Sequence, residues 1–131
     1  MRKEDLMIGD WVNIQTEKDD EPMYSQVEQL WECEIDADFQ TGYENVYPIE
    51  LTEEILRNNG FIKVDFLRYD EPRIGISLLY KERSDGEQGY RVLIENRKSG
   101  TETRTTIKPV RYVHEIQHTI KDLEIDREII L

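Results

Sequence analysis

Alternation with the period of a strand dominates this chain. Trp11-Val12-Asn13-Ile14, β-branched and aromatic after Gly9-Asp10, predicts a strand within residues 7–15. The polar stretch 16–22 reads as an exposed loop. From Trp31 the alternation is clean: Trp31, Cys33, Ile35, Ala37 and Phe39 fall on one side, with Glu32, Glu34, Asp36, Asp38 and Gln40 on the other. That pattern predicts one half-buried strand with an acidic outer face. Residues 74–81 alternate at Ile74, Ile76, Leu78 and Tyr80, and residues 61–69, 90–95 and 101–107 also read as strands. They are separated by Asp70-Glu71-Pro72-Arg73, Ser84-Asp85-Gly86 and Lys98-Ser99-Gly100, and so predict a four-stranded antiparallel meander.

Two segments break the period. Thr52 precedes Glu53 and Glu54, two carboxylates suited to the positive end of a helix dipole, and Gly60 stands where a helix ends. A short helix is predicted over residues 52–59. After Pro109, the stripe Val113, Ile116, Ile120 and Leu123 predicts a second helix over 110–124. The sum is an α+β fold in one domain, residues 1–131. N-terminal strands, for which an SH3-like half barrel is one arrangement, are followed by a short helix, the meander and a C-terminal helix packed on the sheet. The expected core is Ile8, Val12, Trp31, Ile35, Phe39, Ile55, Leu56, Phe61, Val64, Phe66, Ile76, Leu78, Val92, Ile94, Val113, Ile116, Ile120 and Leu123.

Composition narrows the function classes. The 131 residues hold 29 Asp and Glu against 17 Lys and Arg, a formal charge of −12. Such a chain repels nucleic acid unless its cations cluster, and Arg91, Arg97, Lys98, Arg104, Lys108 and Arg111 are interrupted by Glu95 and Glu102. Direct nucleic-acid binding is not expected. Apolar runs are far shorter than a bilayer span, and Met1-Arg2-Lys3-Glu4-Asp5 leads into no apolar leader, so neither membrane nor secretion is expected. The single cysteine, Cys33, permits no intramolecular disulfide and fits a reducing cytoplasm.

Both histidines fall in one motif, His114-Glu115-Ile116-Gln117-His118, which matches H-E-x-x-H. On a helix, residues four apart lie one above the other. Two imidazoles can then grip a zinc ion while the glutamate activates its water, which would make His114 and His118 ligands and Glu115 the catalytic base of a zinc hydrolase. Three features weigh against it. No third ligand is evident in the 13 residues after His118, the apolar stripe points the histidines towards solvent, and the chain is short for a substrate cleft. The expectation is therefore no cofactor, with zinc as the alternative.

Other chemistry is thinner. Glu34, Asp36 and Asp38 have EF-hand spacing, but Phe39 stands where that loop needs glycine and Asn45 where it needs glutamate. Cys33, between Trp31 and Ile35, reads as a small core residue, and Ser77 lacks the second glycine of a nucleophile elbow. The acidic row Glu32, Glu34, Asp36 and Asp38 is the candidate interaction face. Its repeat of about 7 Å along a strand is close to the phosphate spacing of DNA, so an acidic DNA-mimic inhibitor is a further alternative.

Three blocks carry a resemblance: Leu6-x-Ile8-Gly9-Asp10-x-Val12; Tyr47-Pro48-Ile49-x-Leu51-Thr52-Glu53-Glu54-Ile55-Leu56 running to Gly60-Phe61; and Val110-Arg111-Tyr112-Val113-His114-x-Ile116-Gln117. In this order the chain resembles a family of small Bacteroidetes proteins often associated with prophage and other mobile elements. The closing helix of that family reads like Tyr-Val-His-x-Leu-Gln-Asn. The resemblance therefore makes Glu115 and His118 departures and implies no catalytic residue. The expected function is a non-enzymatic accessory protein acting on another protein through an exposed surface. Ile125, Ile129, Ile130 and Leu131 are a second candidate contact, which could equally support self-association.

Overall fold

The computed structural model describes residues 1–17, 21–82, 88–96, 101–104 and 109–131. Its elements are strands β1 (Trp11–Ile14), β2 (Met23–Gln26), β3 (Gln29–Leu30), β4 (Glu34–Asp36), β5 (Gln40–Gly42) and β6 (Val46–Tyr47), helix α1 (Glu53–Asn58), strands β7 (Ile62–Asp65), β8 (Arg68–Glu71), β9 (Ile76–Glu82), β10 (Gln88–Asn96) and β11 (Thr101–Arg104), and helix α2 (Val113–Asp122). The chain is α+β, as expected. Its contacts resolve into two compact units, the first formed by residues 1–50 and 112–122, the second by 51–111 and 123–131.

The first unit holds two open antiparallel sheets, ordered β2-β1-β6 and β3-β4-β5. Val12 and Ile14 alternate inward on β1, Ile35 does so on β4, and with Leu6, Val27, Ala37 and Val46 they make one apolar cluster. Helix α2 packs against β1, with Val113, Ile116 and Ile120 buried. It therefore lies on the N-terminal sheet of this unit.

The second unit is an antiparallel meander in the order β11-β10-β9-β8-β7, preceded by α1. It has one strand more than the alternation predicts, because residues 61–69 do not form a single strand. They fold into a tight hairpin that turns at Phe66-Leu67 between β7 and β8. Ile76, Leu78 and Val92 face the core, and Tyr80 and Tyr90 stand opposite each other on β9 and β10. The Glu71 carboxylate is fully buried and accepts from the Arg73 backbone N–H and guanidinium and from the Arg127 guanidinium. Asn59, also buried, exchanges two 2.7 Å hydrogen bonds with the backbone of Ile130, its amide donating to the carbonyl and its oxygen accepting from the N–H.

Several expectations need correction. The predicted strand from Trp31 to Gln40 is broken twice. Trp31 N–H donates to the Glu34 carbonyl across a turn, and bends at 37–39 separate β4 from β5. Strict alternation persists through turns because acidic residues suit exposed turn positions as well as an outer strand face. Cys33 consequently sits exposed in the first turn instead of in the core. Ile8, Trp31, Phe39, Val64 and Phe66 are exposed, whereas Leu6, Ile14, Val27, Val46, Ile49, Leu51, Tyr69, Val110 and Ile129 are buried without having been expected in the core. Ile129 belongs to the interior of its own unit, which leaves Ile130 and Leu131 as the exposed part of the tail. The predicted turns at Ser84-Asp85-Gly86 and Lys98-Ser99-Gly100, the end of the strand at 105–107, and Arg97 and Lys108 of the basic group lie outside the described residues.

Candidate functional site

The H-E-x-x-H residues are on α2, and each has a local partner or environment. Tyr112 precedes the helix, and the Glu115 carboxylate three residues on accepts from the Tyr112 N–H at 3.0 Å. That is the reciprocal half of a capping box, which satisfies a backbone donor at the helix start. Gln117 uses both ends of its amide on the segment before β1: its oxygen accepts from the Trp11 N–H at 2.8 Å and its nitrogen donates to the Gly9 carbonyl at 3.0 Å. His118 Nε2 donates at 2.7 Å to Asp10, whose buried carboxylate also accepts from the Met7 N–H.

His114 is only 7% exposed, and its Nδ1 is a buried nitrogen with no hydrogen-bond partner. Its ring stacks on Tyr112, with centroids 5.9 Å apart and planes 13° from parallel, and meets His118 edge-on at 5.6 Å. Burial pushes the His114 ring below the ordinary imidazole range, against the upward pull of Glu115, Asp10 and Asp5. The ring is therefore neutral near pH 7.

His114 does not face open solvent as the helical wheel suggests, whereas the His118 side chain stays half-buried. Besides its packing against β1, with Val113, Ile116 and Ile120 buried, α2 is held by the segment before β1 through Gly9 and Asp10, which bond Gln117 and His118. Between that segment and the helix lies a cavity of about 470 Å³, lined by Met1, Glu4, Asp5, Pro48, Tyr112, His114, Glu115 and His118. The structure thus brings all three motif residues to one cavity. Among the described residues no group of three or more His, Cys, Asp or Glu is arranged to hold a metal ion. Sequence reasoning missed Asp10, Gln117 and the acidic segment Glu4-Asp5. The one signal for them is that Gly9-Asp10 and Gln117 fall inside the distinctive blocks.

The acidic residues behave differently from a row. Glu32 lies in the turn before β4 and Asp38 in the bends after it, both exposed, while Glu34 and Asp36 are half-buried on β4. Asp36 accepts from the Trp31 indole and Asp38 from the Ser25 hydroxyl. The four carboxylates do not repeat along one strand face, so the spacing argument for DNA mimicry has no continuous strand beneath it.

A second surface stands out in the meander. Strand β7 is its end strand, and every side chain of β7 is exposed. Ile62 and Val64 are each 58% exposed, Phe66 82% and Leu67 43%. Lys63 reaches back towards Glu53 of α1 at 3.7 Å and lies over the Phe66 ring at 5.8 Å.

Among the described residues no helix is long and apolar enough to cross a membrane. Compared with protein-family models, with curated proteins and with solved structures, the chain matches none.

Proposed function

We propose that this chain is a non-enzymatic interaction protein that docks a partner polypeptide along the free edge of β7. The observation that carries this reading is the exposed apolar series of Ile62 and Val64 on the end strand and Phe66 and Leu67 in the turn that follows it. An end strand is a template for strand addition; β7 is a short one, four residues with Lys63, Asp65 and a register shift between them, so the apolar side chains at the turn that follows extend the contact. Backbone hydrogen bonds would supply affinity, and alternate side-chain pockets would supply specificity. The resemblance to Bacteroidetes mobile-element proteins agrees, since it implies no catalytic residue. An exposed free Cys33 agrees with a reducing cytoplasm. The net charge of −12 favours a protein partner over a nucleic acid.

A photocrosslinking amino acid at position 66 tests the reading directly. A discrete partner adduct is expected, and it is expected to disappear when Val64→Lys is added to a chain that keeps its circular dichroism. Adducts only with a second copy of the chain, or none at all, would sink the proposal of a separate partner.

A further inference from the structure

We propose that the outer face of the β2-β1-β6 sheet binds a basic, proline-rich segment of a partner protein in the polyproline II conformation. The face lies within the first unit and does not depend on the β7 reading.

Register puts five side chains on this face. Residues paired across strands share a side of the sheet, and so do residues two apart along a strand. Val12, Ile14 and Val46 turn into the apolar cluster. Their neighbours Trp11 and Asn13 on β1, Tyr24 and Gln26 on β2 and Tyr47 on β6 therefore take the opposite side, Trp11 paired with Gln26 and Asn13 with both Tyr24 and Tyr47. Tyr24 and Tyr47 are each 47% exposed. None of the five is charged, in a unit whose sequence holds 16 Asp and Glu against 4 Lys and Arg. Aromatic enrichment with depletion of charge marks the centre of a protein interface.

Spacing selects the conformation of the ligand. Tyr24 and Tyr47 flank the shorter Asn13 on its two sides, so their strands stand two inter-strand steps apart, about 9.5 Å. One turn of polyproline II is three residues with a rise of about 3.1 Å each, or about 9.3 Å. Prolines at i and i+3 then meet the two tyrosine rings, with Asn13 between them. The Asn13 side-chain oxygen accepts from the Met23 N–H at 3.0 Å, which leaves the amide N–H groups to donate. A polyproline II backbone makes no internal hydrogen bonds, so its carbonyls are there to accept. An extended β-strand repeats a face about every 6.8 Å and misses this spacing.

Charge sets the sign of the ligand. Glu17 follows β1, Glu21 precedes β2, Glu28 follows β2 and Glu44 precedes β6, and all four are exposed. An uncharged aromatic floor with carboxylates at the strand ends complements Lys or Arg beside the prolines and disfavours an acidic segment.

Nuclear magnetic resonance titration of the whole chain provides the test. The probes are a blocked peptide with proline at every third position and arginine at both ends, the same peptide with alanine for proline, the same with glutamate for arginine, and a neutral oligosaccharide. Saturable shifts of the Trp11 indole, the Asn13 side-chain amide and the Tyr24 and Tyr47 rings are expected with the first peptide. Both control peptides should bind at least about tenfold more weakly. Tyr24→Ala and Tyr47→Ala change exposed side chains outside the core, and each should weaken binding about tenfold. The comparison between peptides needs no variant. No saturable response to the first peptide at millimolar concentration, equal response to either control peptide, or response to the oligosaccharide alone would overturn the proposal.

Discussion

His114 is a titratable ring in a medium that disfavours its charge. Its folded pKa lies below the ordinary value of about 6.5, because burial outweighs the carboxylates around it. Between those two pKa values the unfolded chain binds more protons than the folded one. Stability contributed by the neutral ring is therefore full above about pH 6.5 and is lost as pH falls through the folded value. Glu71 adds a separate effect at lower pH. Burial raises its pKa, but the hydrogen bonds and charge of Arg73, with the charge of Arg127, more than offset this and leave it below the usual carboxylate range. Its contribution is present above about pH 4.5 and is lost as pH falls through its folded value. His114→Phe keeps a flat ring beside Tyr112 and removes the titrating nitrogen. The urea midpoint of the variant should fall less than that of the native chain between pH 7 and 5.5; parallel curves would show that His114 is not responsible. None of this was legible from the helical wheel, which places His114 well away from the apolar stripe. A wheel assumes one covering surface, and α2 is also held by the segment before β1. The motif itself was legible, but Glu115 as a cap and Asp10 as the partner of His118 depend on contacts that pattern alone does not reveal.

At the scale of elements, the ends of α1 were the most legible feature of the chain, because caps are local chemistry. Thr52 Oγ1 accepts from the Ile55 N–H at 3.2 Å, as its place before two glutamates implies. The other end closes with Gly60 at φ +88°, the Phe61 N–H donating to the Leu56 carbonyl and the Gly60 N–H to that of Arg57. This is a Schellman arrangement, with buried Leu56 and Phe61 completing its apolar contact. A Cβ on Gly60 would have to adopt the left-handed region and would also meet the Glu71 carboxylate and the Arg73 guanidinium. Gly60→Ala should therefore destabilise by at least about 1–2 kcal/mol, the ordinary strain of that conformation. A calorimetric midpoint equal to that of the native chain would contradict the geometry. Strands were less legible. The period of two fixes which side chains share a face but not where the chain reverses. The single strands read over 31–40 and 61–69 are each interrupted by turns, which brings Trp31, Phe39 and Phe66 to the surface, and Val64 is exposed with the rest of the end strand β7.

Across the whole molecule, uniform composition hides the division into two units. The chain passes between them at 50–51, 111–112 and 122–123, and none of these places carries a glycine or proline linker that would mark a boundary. The tail after Asp122 shows the consequence. From composition, Ile125, Ile129, Ile130 and Leu131 form an apolar patch suited to self-association. In the structure, Ile129 is buried in the second unit, Asn59 holds the backbone of Ile130, and Arg127 places a guanidinium on the buried Glu71 at 3.3 Å. Arg127 also donates to the Asn59 carbonyl at 2.8 Å, so one side chain joins the helix end to the buried carboxylate. Removing residues 125–131 would leave Glu71 with the largely exposed Arg73 alone and would strip Asn59 of both its bonds to Ile130, leaving its amide only the Ile55 carbonyl. Breaking a buried ion pair from one side destabilises by on the order of 3 kcal/mol. The truncated chain should unfold at a clearly lower urea concentration while eluting from a sizing column in the same oligomeric state as the intact chain. An unchanged midpoint with a shift to a smaller species would instead make the tail a contact between copies. Arg127→Met separates the two ideas: it leaves the apolar residues in place, so only the ion-pair account requires it to lose stability.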